Sequence, residues 1–240
     1  MERVRGSAKV SAKVFRRKTR RCSGRQGTEL TLAALPTHPG CRRAAQELTN
    51  IDGNGISING FQRNLTIDHN DFSWVGDSAM ASWGHTGQCL NENCSHKLPY
   101  KVGPDGRGGE QPIGSIISRN LVREIGIWQK QSSFWFQAVT AKTQLIDNVH
   151  FNGPRAGVNF NDGFGGGDLM ARNLLLNCVR ESGDHGPFNS WDRVPYITTF
   201  RTGQPSIVPL YREITRNFII STYSSQVPLH AVHAFRTRVT

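Results

Sequence analysis

Charged residues are concentrated in one short stretch of the second half of the chain, residues 180–185, which read Arg-Glu-Ser-Gly-Asp-His. A carboxylate beside a histidine can move protons to and from a bound molecule, so Asp184 and His185 are candidate acid–base residues. An arginine can hold a carboxylate or sulfate group through two parallel hydrogen bonds. We therefore predict a catalytic set made of Asp184, His185, Arg180, Glu181 and Asp162.

Two reactions of sugars need groups of this kind. Hydrolysis of a glycosidic bond needs two carboxylates about 5–10 Å apart, for which Asp184 and either Asp162 or Glu181 are the candidates. Elimination at a uronate sugar needs a base near C5 and a cation that acidifies the proton there, and His185 or an arginine would serve. The sequence leaves the choice between these reactions open.

A repeated unit must position these residues. Five cores share one pattern, LTIDHNDF, SIISRNLV, QLIDNVHF, LMARNLLL and EITRNFII, and their asparagines are Asn70, Asn120, Asn148, Asn173 and Asn217. A unit of this size cannot bury its apolar face alone, so such units stack into a solenoid. The strands are short and rich in Ile, Leu and Val, and no run of helical period lies between them. This pattern predicts an all-β chain, a parallel β-helix of about six coils over residues 49–226.

The asparagines are expected at the corners between strands. A sharp corner requires left-handed backbone, which asparagine tolerates better than any other residue except glycine. We therefore predict that the five asparagines adopt this conformation and stack in one column, where their side chains bond from coil to coil.

Alignment of the coils on these asparagines brings charged residues to one position. Seven residues after an asparagine lie Asp77, Ile127, Arg155 and Arg180. Arg155 would then lie over Arg180, and two stacked arginines repel each other unless they share an anion. Three interpretations stay open: a network of charged residues that satisfies the turns, a saccharide site, or a calcium site through Asp162, Asp184 and Asp192. The candidate substrate-binding residues are Arg155, Asp77, Trp191, Asp192 and Arg193.

The charge of the chain belongs to its beginning. The formal net charge is +11, and residues 1–45 hold 12 of the 29 Lys and Arg but two of the 18 Asp and Glu. The remaining 195 residues therefore carry +1, which argues against a nucleic-acid partner on charge grounds.

We predict that residues 1–48 are a disordered basic tail that packs little against the body. A targeting presequence, a nucleic-acid-binding arm and a mispredicted start of the gene are its three interpretations, and the last is favoured. Residues 227–240 also leave the repeat, and no segment reaches the roughly 20 apolar residues of a membrane span.

A long polar loop separates the second and third cores. Its Cys89 and Cys94 are close enough in sequence to form a disulfide, and a Cys/His metal site with His85 and His96 is the alternative. The loop and the preceding coil also contain the glycosylation sequons Asn93-Cys94-Ser95 and Asn64-Leu65-Thr66, which suggest a secreted glycoprotein. Cys178, in a leucine-rich strand, is expected to be buried and unpaired.

The coils resemble those of the pectate-lyase-like superfamily of right-handed parallel β-helix proteins. The segments GPRAGVNFNDGFGGG and RESGDHGPFNSWDR are similar to an uncharacterised extracellular group within it. The resemblance implies a right-handed β-helix and a carbohydrate partner, in a superfamily of polysaccharide lyases, glycoside hydrolases, epimerases and proteins without known catalysis. Gly183-Asp184-His185-Gly186 matches the Gly-His-Gly of the galacturonan hydrolases in part, and their Arg-Ile-Lys is absent from this sequence.

Together these observations predict a secreted or cell-surface monomer that binds, and in one alternative cleaves, an extracellular polysaccharide. The other alternative is a non-catalytic adhesion or binding module of a larger surface protein. No cofactor is specified by the sequence, with Ca²⁺ as the open option.

Overall fold

The structure is a computed structural model that describes residues 30–32, 42–85, 110–162, 166–183, 185–191, 211–220 and 237–239. Within these residues the chain forms 19 strands and no helix, so the described part contains no helix that could cross a membrane. The strands, numbered in chain order, belong to three sheets.

Each sheet collects every third strand of the chain. The first sheet contains β1 (Leu30–Leu32), β4 (Ile56–Asn59), β7 (Met80–Trp83), β10 (Trp135–Ala138), β13 (Val158–Phe160) and β16 (Phe188–Ser190). The second contains β2 (Arg42–Ala44), β5 (Thr66–Asp68), β8 (Ile116–Ser118), β11 (Gln144–Ile146), β14 (Leu169–Ala171), β17 (Arg212–Thr215) and β19 (Thr237–Val239). The third contains β3 (Glu47–Ile51), β6 (Asp71–Val75), β9 (Leu121–Ile125), β12 (Val149–Phe151), β15 (Leu174–Leu176) and β18 (Phe218–Ile220).

One strand from each sheet makes one coil, so β1–β3 form coil 1 and β16–β18 form coil 6. Neighbouring strands pair in parallel in every sheet except at β19, which pairs antiparallel with β17. We call the turn from the first to the second sheet the first corner, that from the second to the third the second corner, and that from the third to the first of the next coil the third corner. The predicted all-β parallel β-helix of about six coils is confirmed.

The core is built from columns of apolar side chains that point into the coils. In the second sheet the column is Ile67, Ile117, Leu145, Met170 and Ile214, which strand pairing places in register. All five are buried, at 6% exposure or less. Because each coil contributes one side chain to every column, the apolar face of a coil is covered by its two neighbours, as the repeat predicts.

The predicted asparagine column is confirmed. Amide Nδ2 of each asparagine donates to Oδ1 of the next, at 2.9 Å in all four steps from Asn70 through Asn120, Asn148 and Asn173 to Asn217. Oδ1 also accepts the backbone N–H of the preceding asparagine, as from Asn148 to Asn173 at 3.0 Å. We call these five residues the asparagine ladder. The ladder satisfies backbone groups of the second corner that strand pairing leaves free.

The predicted conformation of these asparagines is wrong. The left-handed residue is the one before each asparagine, with φ between 52° and 56° at His69, Arg119, Asp147, Arg172 and Arg216, and Ala45 before Gln46 has the same conformation. The bend is made at that exposed position, and the asparagine after it turns inward, where its amide is needed for hydrogen bonds rather than for backbone freedom. Asparagine does take the left-handed conformation at the ends of third-sheet strands, at Asn50, Asn152 and Asn177.

The first coil starts before the predicted boundary at residue 49. Strands β1 and β2 pair with β4 and β5, β3 begins at Glu47, and Leu48 is buried. Gln46 stands at the ladder position of coil 1, where its backbone N–H donates to Oδ1 of Asn70 at 3.2 Å. The absence of an asparagine there hides this coil in the sequence. Residues 1–29 and 33–41 lie outside the described residues.

Candidate functional site

Of the predicted site residues that the structure describes, five lie at the third corner: Asp77, Arg155, Arg180, Glu181 and His185. Asp77 accepts hydrogen bonds from Ser132 Oγ at 2.8 Å and from the backbone N–H of Ser78 at 3.0 Å, so its carboxylate organises a turn. Arg155 is buried, at 8% exposure, whereas Arg180 is exposed. The two guanidinium groups therefore face different surroundings. This arrangement does not favour the binding of one anion by both, and their shared anion stays a prediction.

Ion pairs between coils occupy the charged residues of this corner. Arg180 Nη1 lies 3.4 Å from Oε2 of Glu124, and Glu181 Oε2 lies 2.8 Å from Nζ of Lys130. Asn152 donates to Oε1 of the same Glu124. These contacts fit the first interpretation drawn from the sequence, a network that connects turns of successive coils.

Asp162 lies at the other end of the first-sheet strands. It follows β13 at the first corner, where its carbonyl accepts the N–H of Val139 at 2.9 Å. A strand of three to four residues spans roughly 10–13 Å, so the first-sheet strands separate Asp162 from Glu181 at the third corner. Asp184, Asp192, Arg193, Cys89 and Cys94 lie outside the described residues, and their predicted roles stay predictions.

No group of three metal-ligating side chains occurs in the described part of the chain. Of the three predicted calcium ligands, Asp162 is described and the other two are not. The calcium site therefore stays a prediction.

The outer surface of the first sheet is uncharged. None of its six strands contains an Asp, Glu, Lys or Arg. Register places Ser57, Ala81, Phe136, Asn159 and Asn189 in one outward column. Within it Asn189 Nδ2 donates to Asn159 Oδ1 at 2.7 Å. Ser57, Ala81 and Asn159 are buried, so the accessible part of this surface consists of half-buried Phe136 and Asn189 and of the residues beside the column.

Two exposed tryptophans mark that accessible part. Trp83 follows Ser82 and Trp191 follows Ser190, and these serines occupy the same register position in coils 3 and 6. Trp83 is 43% exposed and Trp191 is 51% exposed. Three strand spacings separate them, or roughly 14 Å. Each precedes one of the two longest connections from the first to the second sheet.

Aromatic and amide side chains accompany these tryptophans. The Trp83 ring packs against Phe136 with centroids 5.1 Å apart at 32°, and the His185 ring lies 6.2 Å from that of Trp191. Half-buried Asn59 is the register partner of Trp83 in the neighbouring coil, and its Nδ2 donates to Ser57 Oγ at 2.8 Å. We call the accessible set the aromatic–amide strip: Asn59, Trp83, Phe136, Asn161, Asn189 and Trp191.

Sequence reasoning identified Trp191 but not its partners. The recurrence of Ser82-Trp83 as Ser190-Trp191 carries the signal for Trp83, because the same dipeptide at one coil position places both indoles on one surface. Phe136 carries no such signal, because the run Phe134-Trp135-Phe136 does not show which of its rings points outward; the structure buries Trp135 and leaves Phe136 half-buried.

A buried ion pair beneath the first corner was also missed. Asp168 Oδ2 and Arg212 Nε lie 2.8 Å apart with side-chain exposures of 1% and 6%. Asp168 also accepts from the Thr143 N–H at 2.9 Å and from Gln137 Nε2 at 3.3 Å. Burial raises the pKa of the Asp168 carboxyl, and Arg212 opposes that shift. Because this group is enclosed, we assign it to the stability of coils 4–6 rather than to ligand binding.

A buried histidine lies in the core of the third sheet. His150 occupies the inward column between Val122 and Leu175 and stacks on Phe134 with centroids 5.9 Å apart. Its Nδ1 lies 3.2 Å from the Val122 carbonyl, to which it donates, and its Nε2 makes no hydrogen bond in the described structure. Complete burial lowers the pKa of His150 from 6.5 to about 4, against the opposing effect of that carbonyl.

The buried thiol of Cys178 lies close to this histidine. A Cβ at Gly157 would lie 2.9 Å from Cys178 Sγ and 3.0 Å from His150 Cδ2, so only glycine fits there. Burial raises the pKa of the Cys178 thiol to about 12, which keeps it protonated and unreactive at neutral pH. The predicted burial of Cys178 is confirmed.

The neutral state of His150 predicts a loss of stability in mild acid. The unfolded chain binds a proton at this residue near pH 6.5, whereas the folded chain binds it only near pH 4. The contribution of neutral His150 to the free energy of unfolding is therefore complete above pH 6.5. It is lost progressively as the pH falls toward 4, by about 3 kcal/mol in total. Urea unfolding at pH 7.5, 6, 5 and 4 measures this loss. The matched variant His150→Leu carries the residue type of Leu175 in the same column, and should show a smaller decline; equal declines in both proteins would contradict the assignment.

In comparisons with known proteins, no family model matches the chain, and neither a curated protein nor a solved structure does. The proposal for its function therefore rests on the geometry above.

Proposed function

We propose that this β-helix binds an extracellular polysaccharide through the aromatic–amide strip. The observation that carries the proposal is the placement of Trp83 and Trp191 at one coil position, both exposed, on a sheet without charged residues. Aromatic rings bind the apolar faces of sugar rings, and neighbouring amides exchange hydrogen bonds with hydroxyl groups. A chain that runs across the coils would meet both indoles.

The absence of charge from the first-sheet strands favours a neutral polysaccharide over a uronate. A uronate would need cations on the strip. Of the arginines predicted for that role, the two that the structure describes, Arg155 and Arg180, lie at the third corner, where Arg180 is paired with Glu124. The carbohydrate would therefore lie on the uncharged first sheet rather than at the charged third corner.

Binding without cleavage is the form of the proposal that the described residues favour. Glu181 is paired with Lys130, and the first-sheet strands separate it from Asp162. These two carboxylates are therefore poorly placed to flank one glycosidic bond together, and the predicted pairs of either one with Asp184 stay predictions because Asp184 lies outside the described residues. The role of this β-helix would be adhesion or retention at a polysaccharide surface, performed by a secreted or surface-exposed monomer.

Affinity electrophoresis through gels that contain neutral or uronate polysaccharides tests this function. We expect retardation by at least one neutral polysaccharide and about a tenfold loss of affinity in Trp83→Ala or Trp191→Ala, which is roughly 1.4 kcal/mol for each anchoring ring. Trp74→Ala is the matched control, because Trp74 is 55% exposed but lies at the end of a third-sheet strand. Absence of retardation by every polysaccharide, or equal losses in all three variants, would overturn the proposal.

A further inference from the structure

An open groove lies at the second corner of coils 1–3, on a different part of the solenoid from the aromatic–amide strip. Its volume is about 450 Å³. Its lining consists of Ala45, Gln46, Glu47, His69, Asn70, Asp71, Arg119 and Leu121. Apart from Ala45 and Leu121 these residues are polar or charged, so the groove suits a hydrophilic ligand.

A buried carboxylate fixes the orientation of His69 in this groove. Asp68 is 1% exposed and accepts hydrogen bonds from Ser118 Oγ at 2.7 Å and from Nε and Nη2 of Arg119 at 2.9 Å each. A carboxylate held by a guanidinium group is an acceptor only, so His69 Nδ1, at 3.0 Å, must be the donor to it. In the neutral imidazole, His69 Nε2 is then a hydrogen-bond acceptor, on a side chain that is 55% exposed.

Two carboxylates, those of Glu47 and Asp71, line the same groove. Glu47 and Asp71 are register partners on adjacent strands, so their side chains leave the third sheet on the same side. Asp71 Oδ1 accepts from Arg123 Nη1 at 2.7 Å. Glu47 is exposed and forms no ion pair within the described residues. Arg119 pairs with Asp68 and Arg123 pairs with Asp71, which leaves Glu47 as the carboxylate of the groove without an ion pair within the described residues.

We propose that this groove binds a sugar that carries a primary ammonium group, with Glu47 as the counter-ion and His69 Nε2 as an acceptor. An ammonium group has three donors and no acceptor, which complements the groove. The hydroxyl groups of an amino sugar would meet the second carboxylate, Asp71, and the Arg119 side chain. An anionic sugar would be repelled by Glu47. This inference does not depend on the proposed function of the strip.

Titration of the whole protein with D-glucosamine, followed by the NMR signals of the His69 imidazole, tests the assignment. Loss of the signals in His69→Ala identifies them. We expect D-glucosamine to shift them saturably, with glucose weaker and glucuronate without effect. Glu47→Gln should weaken glucosamine binding about tenfold, because it removes the charge and keeps the shape.

Two control variants show whether the response to glucosamine belongs to this groove. Glu213→Gln removes an exposed carboxylate of coil 6, and Trp128→Ala removes an exposed ring at the third corner; neither residue lines the groove, so neither variant should change the glucosamine affinity. No shift with glucosamine, a glucuronate response as strong as that to glucosamine, or an unchanged affinity in Glu47→Gln would overturn the proposal. A response to putrescine as strong as that to glucosamine would overturn the assignment to a sugar.

Discussion

Replacement of Asn148 by leucine should lower the free energy of unfolding by about 3–6 kcal/mol. The Asn148 side chain is fully buried and makes four hydrogen bonds: it accepts from the N–H and Nδ2 of Asn120, and donates to the Ile117 carbonyl at 2.8 Å and to Asn173 Oδ1. Leucine leaves the backbone N–H and one Nδ2 hydrogen of Asn120 without an acceptor, and the carbonyl of Ile117 loses the bond from Asn148 Nδ2. Each buried orphaned group costs roughly 1–3 kcal/mol.

Urea unfolding followed by circular dichroism measures this loss, and Asn161→Leu is the control. Asn161 is half-buried outside the ladder, so the same substitution there should change stability by about 1 kcal/mol or less. Similar losses in the two variants would contradict a special role for the ladder. The ladder would then be a consequence of the fold rather than a cause of its stability.

Asp168→Ala should destabilise the protein by about 3–5 kcal/mol, because it leaves the buried guanidinium group of Arg212 without its counter-ion. The Thr143 N–H and the Gln137 amide would lose an acceptor as well. The effect should be largest in coils 4–6, since Arg212 also donates to Ser190 Oγ at 3.2 Å and lies over the Phe160 ring at 5.0 Å. Thermal unfolding with hydrogen exchange locates the loss.

Two further variants make this test specific. Asp147→Ala breaks a bidentate pair of the same kind with Arg172, but both side chains are exposed, so stability should change little. The double variant Asp168→Leu with Arg212→Met removes both charges and should recover much of the loss. Equal effects of Asp168→Ala and Asp147→Ala would show that burial of the pair does not matter.

The fold was predictable because its unit recurs in the sequence. The five cores fix the strand length, and the inward positions Ile67, Ile117, Leu145 and Met170 recur at the same place in each core. The corner geometry was less accessible to sequence reasoning. His69, Arg119 and Asp147 share no residue type, so nothing in the sequence marks them as left-handed.

The candidate site was predictable only in part, for a physical reason. Alignment of the coils shows which residues occupy equivalent positions in successive coils. It does not show whether the side chain of a residue at a corner points inward or outward. Arg155 and Arg180 illustrate this, because equivalent spacing from their asparagines leads to a buried and an exposed side chain. Strands are more regular than corners, so the alternation that places Trp83 and Trp191 on one surface could be read from their shared Ser-Trp dipeptide.

The central claim is that a polysaccharide lies on the aromatic–amide strip, and hydroxyl-radical footprinting tests it most directly. The protein would be oxidised with and without the polysaccharide that retards it most, and the rate at each tryptophan measured by mass spectrometry. Trp74 and Trp128, which are 55% and 72% exposed, serve as references within the same molecule. Our account predicts that the polysaccharide slows oxidation at Trp83 and Trp191 and leaves Trp74 and Trp128 unchanged. Protection of Trp74 or Trp128 without protection of Trp83 and Trp191 would contradict it.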